Sequence, residues 1–185
     1  RDTAQKGLDF IIKAQTPKGG WNYRADPQGQ NDISVSAWQV QALYAGREAW
    51  LEVPPEVFAK ALAYYREATQ AEGYVLYRLE NKNDTQDREN KKLNNCAVAL
   101  MIRQLLGDDP RVSPDLRKLI QVVADAPPPS KLHWGKDWTP GQADRGDGQR
   151  SFFRPYVHYF SAYGMFFAGG KGWRTWNDEA KKALA

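Results

Sequence analysis

Lys6 to Trp21 read KGLDFIIKAQTPKGGW: a helical apolar run, a Gln, a short break, then Gly-Gly-Trp. After a polar loop, Asp32-Ile33-Ser34-Val35-Ser36-Ala37-Trp38-Gln39 opens a second helical segment dense in apolar residues. The unit recurs in weaker form. Glu56 to Tyr74 (EVFAKALAYYREATQAEGY) leads to Leu93 to Gly107, and Leu116 to Trp134 leads to Phe152 to Gly170. The three copies cover nearly the whole chain, and a repeat of helical hairpins decides the architecture before any site is considered.

The periodicity reads as seven helices whose apolar patterns alternate. The first, about Asp2 to Ala14, carries one stripe of Leu8, Ile11 and Ile12. The second, from Asp32, carries two stripes: Ile33, Ala37, Val40 and Tyr44 on one, Val35, Trp38 and Ala42 on the other. A helix apolar on two faces is expected to be buried on two faces. The third starts at Pro54-Pro55 with Glu56 in its first turn and has one stripe: Phe58, Ala61, Leu62 and Tyr65. The fourth, Asn95 to Leu106, is apolar nearly all round and stops at Gly107. The fifth opens on Ser113-Pro114-Asp115, read as a cap, a proline and an acid. The sixth, Phe152 to Ala168, is the most aromatic segment, and the seventh, Asn177 to Leu184, is short and charged. Gly73 to Leu79 alternates like a strand, and Glu80 to Lys92 reads as an exposed loop. One-sided helices alternating with two-sided ones imply an inner layer with an outer layer packed around it.

The first copy resembles the QW repeat of terpenoid cyclases and protein prenyltransferases, with Phe10, Gln15, Gly19 and Trp21 at the motif positions. Gln15 would hydrogen-bond free backbone groups at a neighbouring helix end, and Trp21 would cover that end with its ring. The second copy keeps Gln70, Gly73 and Tyr74; the third keeps Trp134 after Pro127-Pro128-Pro129. The resemblance implies an α/α toroid. Such a toroid closes with about a dozen helices, so seven would form an arc of antiparallel helical hairpins with one inner wall open. The expected fold is therefore all-α, one domain over residues 1–185, resembling part of an α/α toroid. Arg1 opens directly into helical periodicity, so a domain cut from a longer protein is expected.

The resemblance also says where chemistry would sit. Class II cyclases place an Asp-x-Asp-Asp cluster at the start of an inner helix, where one acid protonates an alkene. The matching place here is Gly29-Gln30-Asn31-Asp32, with one carboxylate, and Asp32 reads as a helix N-cap. Prenyltransferase β subunits bind zinc there through Asp-x-Cys and a later His. Asp32 holds the Asp position, Ser34 stands at the Cys position and His158 falls near the third, so no metal and no cofactor are expected. His133 has no companion ligand. The Gly-Cys-Gly-Glu-Gln motif of complement-type thioester domains is absent, as are phosphate-loop and nucleophile-elbow motifs.

The bulk numbers exclude several classes. A chain of 185 residues, 42% hydrophobic, builds one real core. The formal charge of +4 is spread over residues whose neighbours are acidic, which disfavours a nucleic-acid patch. No apolar run is long enough to cross a membrane, and the single Cys96 rules out an intrachain disulfide. The surplus is aromatic. Trp21, Tyr23, Trp134 and Trp138 fall in loops joining an outer helix to the next inner one, where such rings either plug helix ends or bind a ligand. The candidate binding residues are Trp134, Trp138, Trp21, Tyr23, Asp32 and His158. The expected function is a non-catalytic binding or scaffold module whose partner is a protein segment, a glycan or an apolar ligand. The alternative is a partial isoprenoid cyclase or prenyltransferase domain completed by another part of the protein.

Overall fold

The computed structural model describes residues 1–79, 92–128 and 154–184. Among these there are seven helices: α1 (Asp2–Lys13), α2 (Ile33–Glu48), α3 (Pro55–Ala68), α4 (Lys92–Leu105), α5 (Pro114–Ala124), α6 (Arg154–Ala168) and α7 (Gly170–Leu184). The strand-like stretch after Gly73 contributes one isolated antiparallel bridge, Thr69 to Val75. The protein is all-α.

Local chemistry sets most of the boundaries. Pro55 occupies the first turn of α3, where its missing N–H costs nothing, and Glu56 follows it. α4 ends in a Schellman motif. Gly107 takes φ +85°, its N–H bonds Gln104 O at 2.9 Å, and Asp108 N bonds Arg103 O at 2.9 Å. α2 ends the same way around Trp50, which adopts φ +59° without being glycine.

The helices pack in two layers. α2 and α6 both pack on α4; α1 packs on α2, α3 on α2 and α4, α5 on α4 and α6, and α7 on α6 and α5. The inner layer is thus α2, α4 and α6. α4 is buried continuously from Asn95 to Arg103. That matches an apolar pattern running all round the helix, with a buried polar residue at each end, Asn95 and the fully buried Arg103.

The loops after α1 and α3 are built alike. Thr16 N bonds Gly20 O at 3.0 Å and Gly19 N bonds Thr16 O at 2.9 Å; Gln70 N bonds Tyr74 O at 2.7 Å and Gly73 N bonds Gln70 O at 2.9 Å. Each loop presses its glycine on the next outer helix. A Cβ on Gly19 would lie 2.1 Å from the Lys60 carbonyl oxygen in α3, and one on Gly73 would lie 2.6 Å from the Lys118 carbonyl carbon in α5. The bond pattern aligns Gln70 with Thr16, Tyr74 with Gly20 and Val75 with Trp21. The two glycines correspond as the sequence reading has them, but the Gln and aromatic positions of the second copy shift by one.

Three further expectations are corrected. α7 starts at Gly170 rather than Asn177. Its extra turns carry Trp173 and Trp176, and the Trp173 ring meets Phe166 edge-on at 5.6 Å, so packing overrides the poor helix propensity of Gly172. Ser113 precedes α5 but makes no side-chain cap; its hydroxyl donates to Asp115 Oδ1 at 3.0 Å and accepts from Arg103 Nη2 at 2.9 Å. Of the second apolar stripe of α2, Val35 and Ala42 are half-buried, and Trp38 is exposed although it stacks on Tyr159 of α6.

Candidate functional site

The loop between α1 and α2 is fixed before it reaches the site. Trp21 is 2% exposed, and its indole N–H donates to Ile11 O at 2.7 Å, closing the end of α1. Gln15 Nε2 donates to Gly19 O and to Val57 O of α3, both at 3.0 Å. Trp21 N donates to Ser36 Oγ at 2.8 Å, and Asp32 N donates to Trp21 O at 2.8 Å. Trp21 is therefore a plug and a splint for the start of α2, with no surface to offer a ligand.

Asp32 caps α2. Its Oδ1 accepts from Ser34 N at 2.9 Å, Val35 N at 3.0 Å and Ser34 Oγ at 2.5 Å, which satisfies donors the helix leaves open. The residue is 1% exposed. Tyrosines from distant segments surround it. Tyr65 Oη donates to Ile33 O at 2.8 Å, and Ile33 N bonds Tyr77 O at 3.2 Å. The Tyr77 hydroxyl lies close enough to interact with the Asp32 carboxylate and with Tyr23, without completing a well-formed hydrogen bond to the buried Oδ2. Burial pushes the pKa of Tyr77 well above the usual phenol value, and the contact with Asp32 adds to it. Tyr156 is raised by burial, with a Ser34 hydrogen bond pulling back and the charge of Asp32 pushing up. Burial raises Tyr65 too, helped by Tyr64, Tyr156 and Asp32. These phenols keep their protons at neutral pH. Of the three, Tyr65 donates its proton to the Ile33 carbonyl at the start of α2.

A second feature begins at Trp38, nearly two helical turns past this cap. Trp38 stacks on Tyr159 of α6, with centroids 5.8 Å apart and an interplanar angle of 19°. It also meets Tyr156 at 6.2 Å, which links it to the tyrosines around Asp32. From Tyr159 the rings continue along α6: Tyr159 to Tyr163 at 5.2 Å, Tyr163 to Phe167 at 6.3 Å, Phe167 to Phe166 at 6.1 Å. This row faces solvent. Trp38 is 48% exposed, Tyr159 37%, Tyr163 47%, Phe166 60% and Phe167 44%. The spacing 159, 163, 166, 167 is one face of a helix, whose opposite face buries Val157, Phe160 and Met165. Neither Ile33 to Gly46 in α2 nor Tyr156 to Ala168 in α6 contains a Lys, Arg, Asp or Glu. Tyr159 Oη donates to Gln41 Oε1 at 2.6 Å, holding the row's first two rings in register with α2.

Of the sequence candidates, Tyr23 and Asp32 are brought together, with Tyr23 itself largely exposed. Trp21 supports them from behind. His158 is half-buried on α6. Trp134 and Trp138, with His133, lie outside the described residues. Among the described residues no group of three or more His, Cys, Asp or Glu side chains is placed to hold a metal ion. The sequence reading placed Trp38 on a buried stripe and did not single out Tyr159, Tyr163, Phe166 and Phe167 as candidate surface residues. The available signal was that α6 is aromatic on both faces, more than one inner helix can bury against α4.

No family model matches the chain, and no curated protein or solved structure matches it significantly.

Proposed function

We propose that this chain is a non-catalytic repeat domain that works as a binding module, with the aromatic row of α2 and α6 as its binding surface. The observation that carries the reading is the exposure of five neighbouring rings on a face without formal charge. Contiguous exposed apolar surface of this kind is costly to keep in water and marks interaction sites. Trp and Tyr supply large contact areas with few rotatable bonds, so ordering them on binding costs little entropy. An uncharged face fits an uncharged occupant: an apolar ligand, a neutral glycan stacked on the rings, or an apolar protein segment.

The state of Asp32 supports the non-catalytic part. One of its oxygens is committed to three hydrogen bonds of the cap, and its neighbours are phenols that hold their protons. In the QW-repeat resemblance, this position would need further acids or a thiolate to do chemistry, and Asn31 and Ser34 stand there instead. The enzyme alternative draws on one observation, the interaction of Tyr77 with the Asp32 carboxylate, whose Oδ2 is buried without a hydrogen bond.

The test is a titration followed by intrinsic fluorescence, using three probes: a neutral oligosaccharide, a long-chain alcohol and an apolar helical peptide. Wild type is expected to bind at least one of them saturably, and Trp38→Ala to bind that probe at least tenfold more weakly. Absence of saturable binding by all three would remove the proposal.

A further inference from the structure

We infer that the edge of α1 carrying Thr3, Lys6, Gly7 and Phe10 is a docking surface, and that its occupant is the glycine-turn loop of another hairpin of this repeat. The aromatic face of α2 and α6 plays no part in the inference.

The repeat itself supplies the occupant, because α3 and α5 each receive such a loop from the hairpin before them. The loop after α1 crosses α3 where Val57, Lys60, Ala61 and Tyr64 share one face. Gln15 Nε2 donates to Val57 O at 3.0 Å, and a Cβ on Gly19 would come 2.1 Å from Lys60 O. Val57, Ala61 and Tyr64 are all buried there. The loop after α3 crosses α5 in the same way. Gly73 lies against the backbone of Lys118 and Leu119, Lys118 Nζ donates to Ala71 O at 2.8 Å, and Leu119 is fully buried. Both loops have one form: a glycine at φ +92° or +88° donates its N–H to the carbonyl three residues back.

Register then marks the same face on α1. Gly19 and Gly73 are counterparts 54 positions apart. The correspondence runs on into the helices, since Gln15 N bonds Ile12 O at 3.2 Å as Thr69 N bonds Arg66 O at 3.1 Å. Val57, Lys60, Ala61 and Tyr64 of α3 therefore match Thr3, Lys6, Gly7 and Phe10 of α1, and these four are exposed. Phe10 is 64% exposed where Tyr64 is buried, and a Cβ on Gly7 would meet nothing within 4 Å.

The edge carries the chemistry that the filled sites use. A ring stands at the Tyr64 position, and a small residue at the Ala61 position leaves room for a turn to approach. Lys6 stands where Lys118 bonds a loop carbonyl in α5. Other faces of α1 are already engaged: Leu8 is buried, and Gln5 exchanges two hydrogen bonds with the Glu52 backbone, at 3.0 and 2.9 Å. The face left open is the one that a loop fills on α3 and α5.

A chain with residues 1–54 repeated ahead of Arg1 tests this, because it sets a second Gly19 loop in register with α1. In a urea titration followed by circular dichroism, the extended chain is expected to unfold in one transition. Its midpoint should exceed that of the 185-residue chain, and its denaturant dependence should be steeper, as more surface is exposed on unfolding. Phe10→Ser in the original α1 is expected to leave the midpoint of the 185-residue chain unchanged, as at exposed positions in general, and to lower that of the extended chain. An added hairpin that stays unfolded or melts apart from an unchanged core overturns the inference. So does a Phe10→Ser effect of equal size in the two chains.

Discussion

At Asp32 the carboxylate has one oxygen doing a helix cap's work and the other buried without a hydrogen bond. Asp32→Asn keeps an acceptor for Ser34 N and Val35 N, so its cost in a urea unfolding titration is expected to be a few tenths of a kcal/mol, against about 1 kcal/mol for Asp32→Ala. Equal losses would mean that the negative charge itself is required. Trp50 offers the opposite sign. It is 84% exposed and sits at φ +59°, a conformation that costs a side chain roughly 1–2 kcal/mol. Trp50→Gly removes that strain and gives back about 0.5–1 kcal/mol to the entropy of the unfolded chain, so a net stabilisation of up to about 1 kcal/mol is expected in the same titration. Asp32 as a cap and Gln15 and Trp21 as a helix-end closure were legible in sequence, because each bonds within its own loop or a neighbouring helix end. Tyr65, Tyr77 and Tyr156 around the carboxylate were not, since chain folding alone brings those segments together.

At the level of elements, the contacts between outer helices depend on glycine for two separable reasons. Gly73 and Gly107 both take a left-handed φ, but only at Gly73 would a Cβ meet backbone, that of Lys118 and Leu119. Gly107→Ala is expected to cost about 1–2 kcal/mol from conformation alone. Gly73→Ala adds overpacking and is expected to lose about 2–4 kcal/mol. Similar losses at both positions would contradict the tight approach of loop and helix. The end of α4 is tied by ions instead. Arg103, fully buried, donates through Nε to Asp108 Oδ2 at 2.7 Å and through Nη1 to Asp115 Oδ2 at 2.6 Å, while Arg66 Nη2 of α3 reaches Asp108 Oδ1 at 2.6 Å. Burial raises the pKa of Asp108, but the hydrogen bonds and charges of Arg66 and Arg103 outweigh it and leave it below the ordinary value. Asp115 is lowered in the same way by Arg103 and Ser113 against its own burial. Folded pKa values below the unfolded one give stability that is complete above about pH 3.9 and disappears as pH falls through the folded values. Melting temperature is thus expected to fall below about pH 4. This acid-induced drop should be smaller in Asp108→Asn, which is itself less stable at neutral pH. An unchanged acid limb in that variant would show that the network does not set it. The sequence reading saw α4 as apolar and gave Ser113 and Asp115 to the helix start, because the partner that claims both is an arginine ten or more residues earlier.

For the molecule as a whole, helical periodicity foretold an all-α fold, and that much was legible. Which apolar residues would remain in water was not. Periodicity reports that a face is apolar, and cannot say whether a neighbour exists to cover it; Trp38 and the outward rings of α6 have the pattern of core and the exposure of surface. Their removal should therefore leave the fold nearly untouched, as for surface positions in general. The decisive measurement is the affinity of Tyr163→Ser/Phe167→Ser for whichever probe the wild type binds. A drop of at least tenfold is expected, with the unfolding free energy within about 1 kcal/mol of wild type. Full affinity in the variant, or a stability loss of about 3–5 kcal/mol as for buried aromatic rings, would contradict a binding surface on this face.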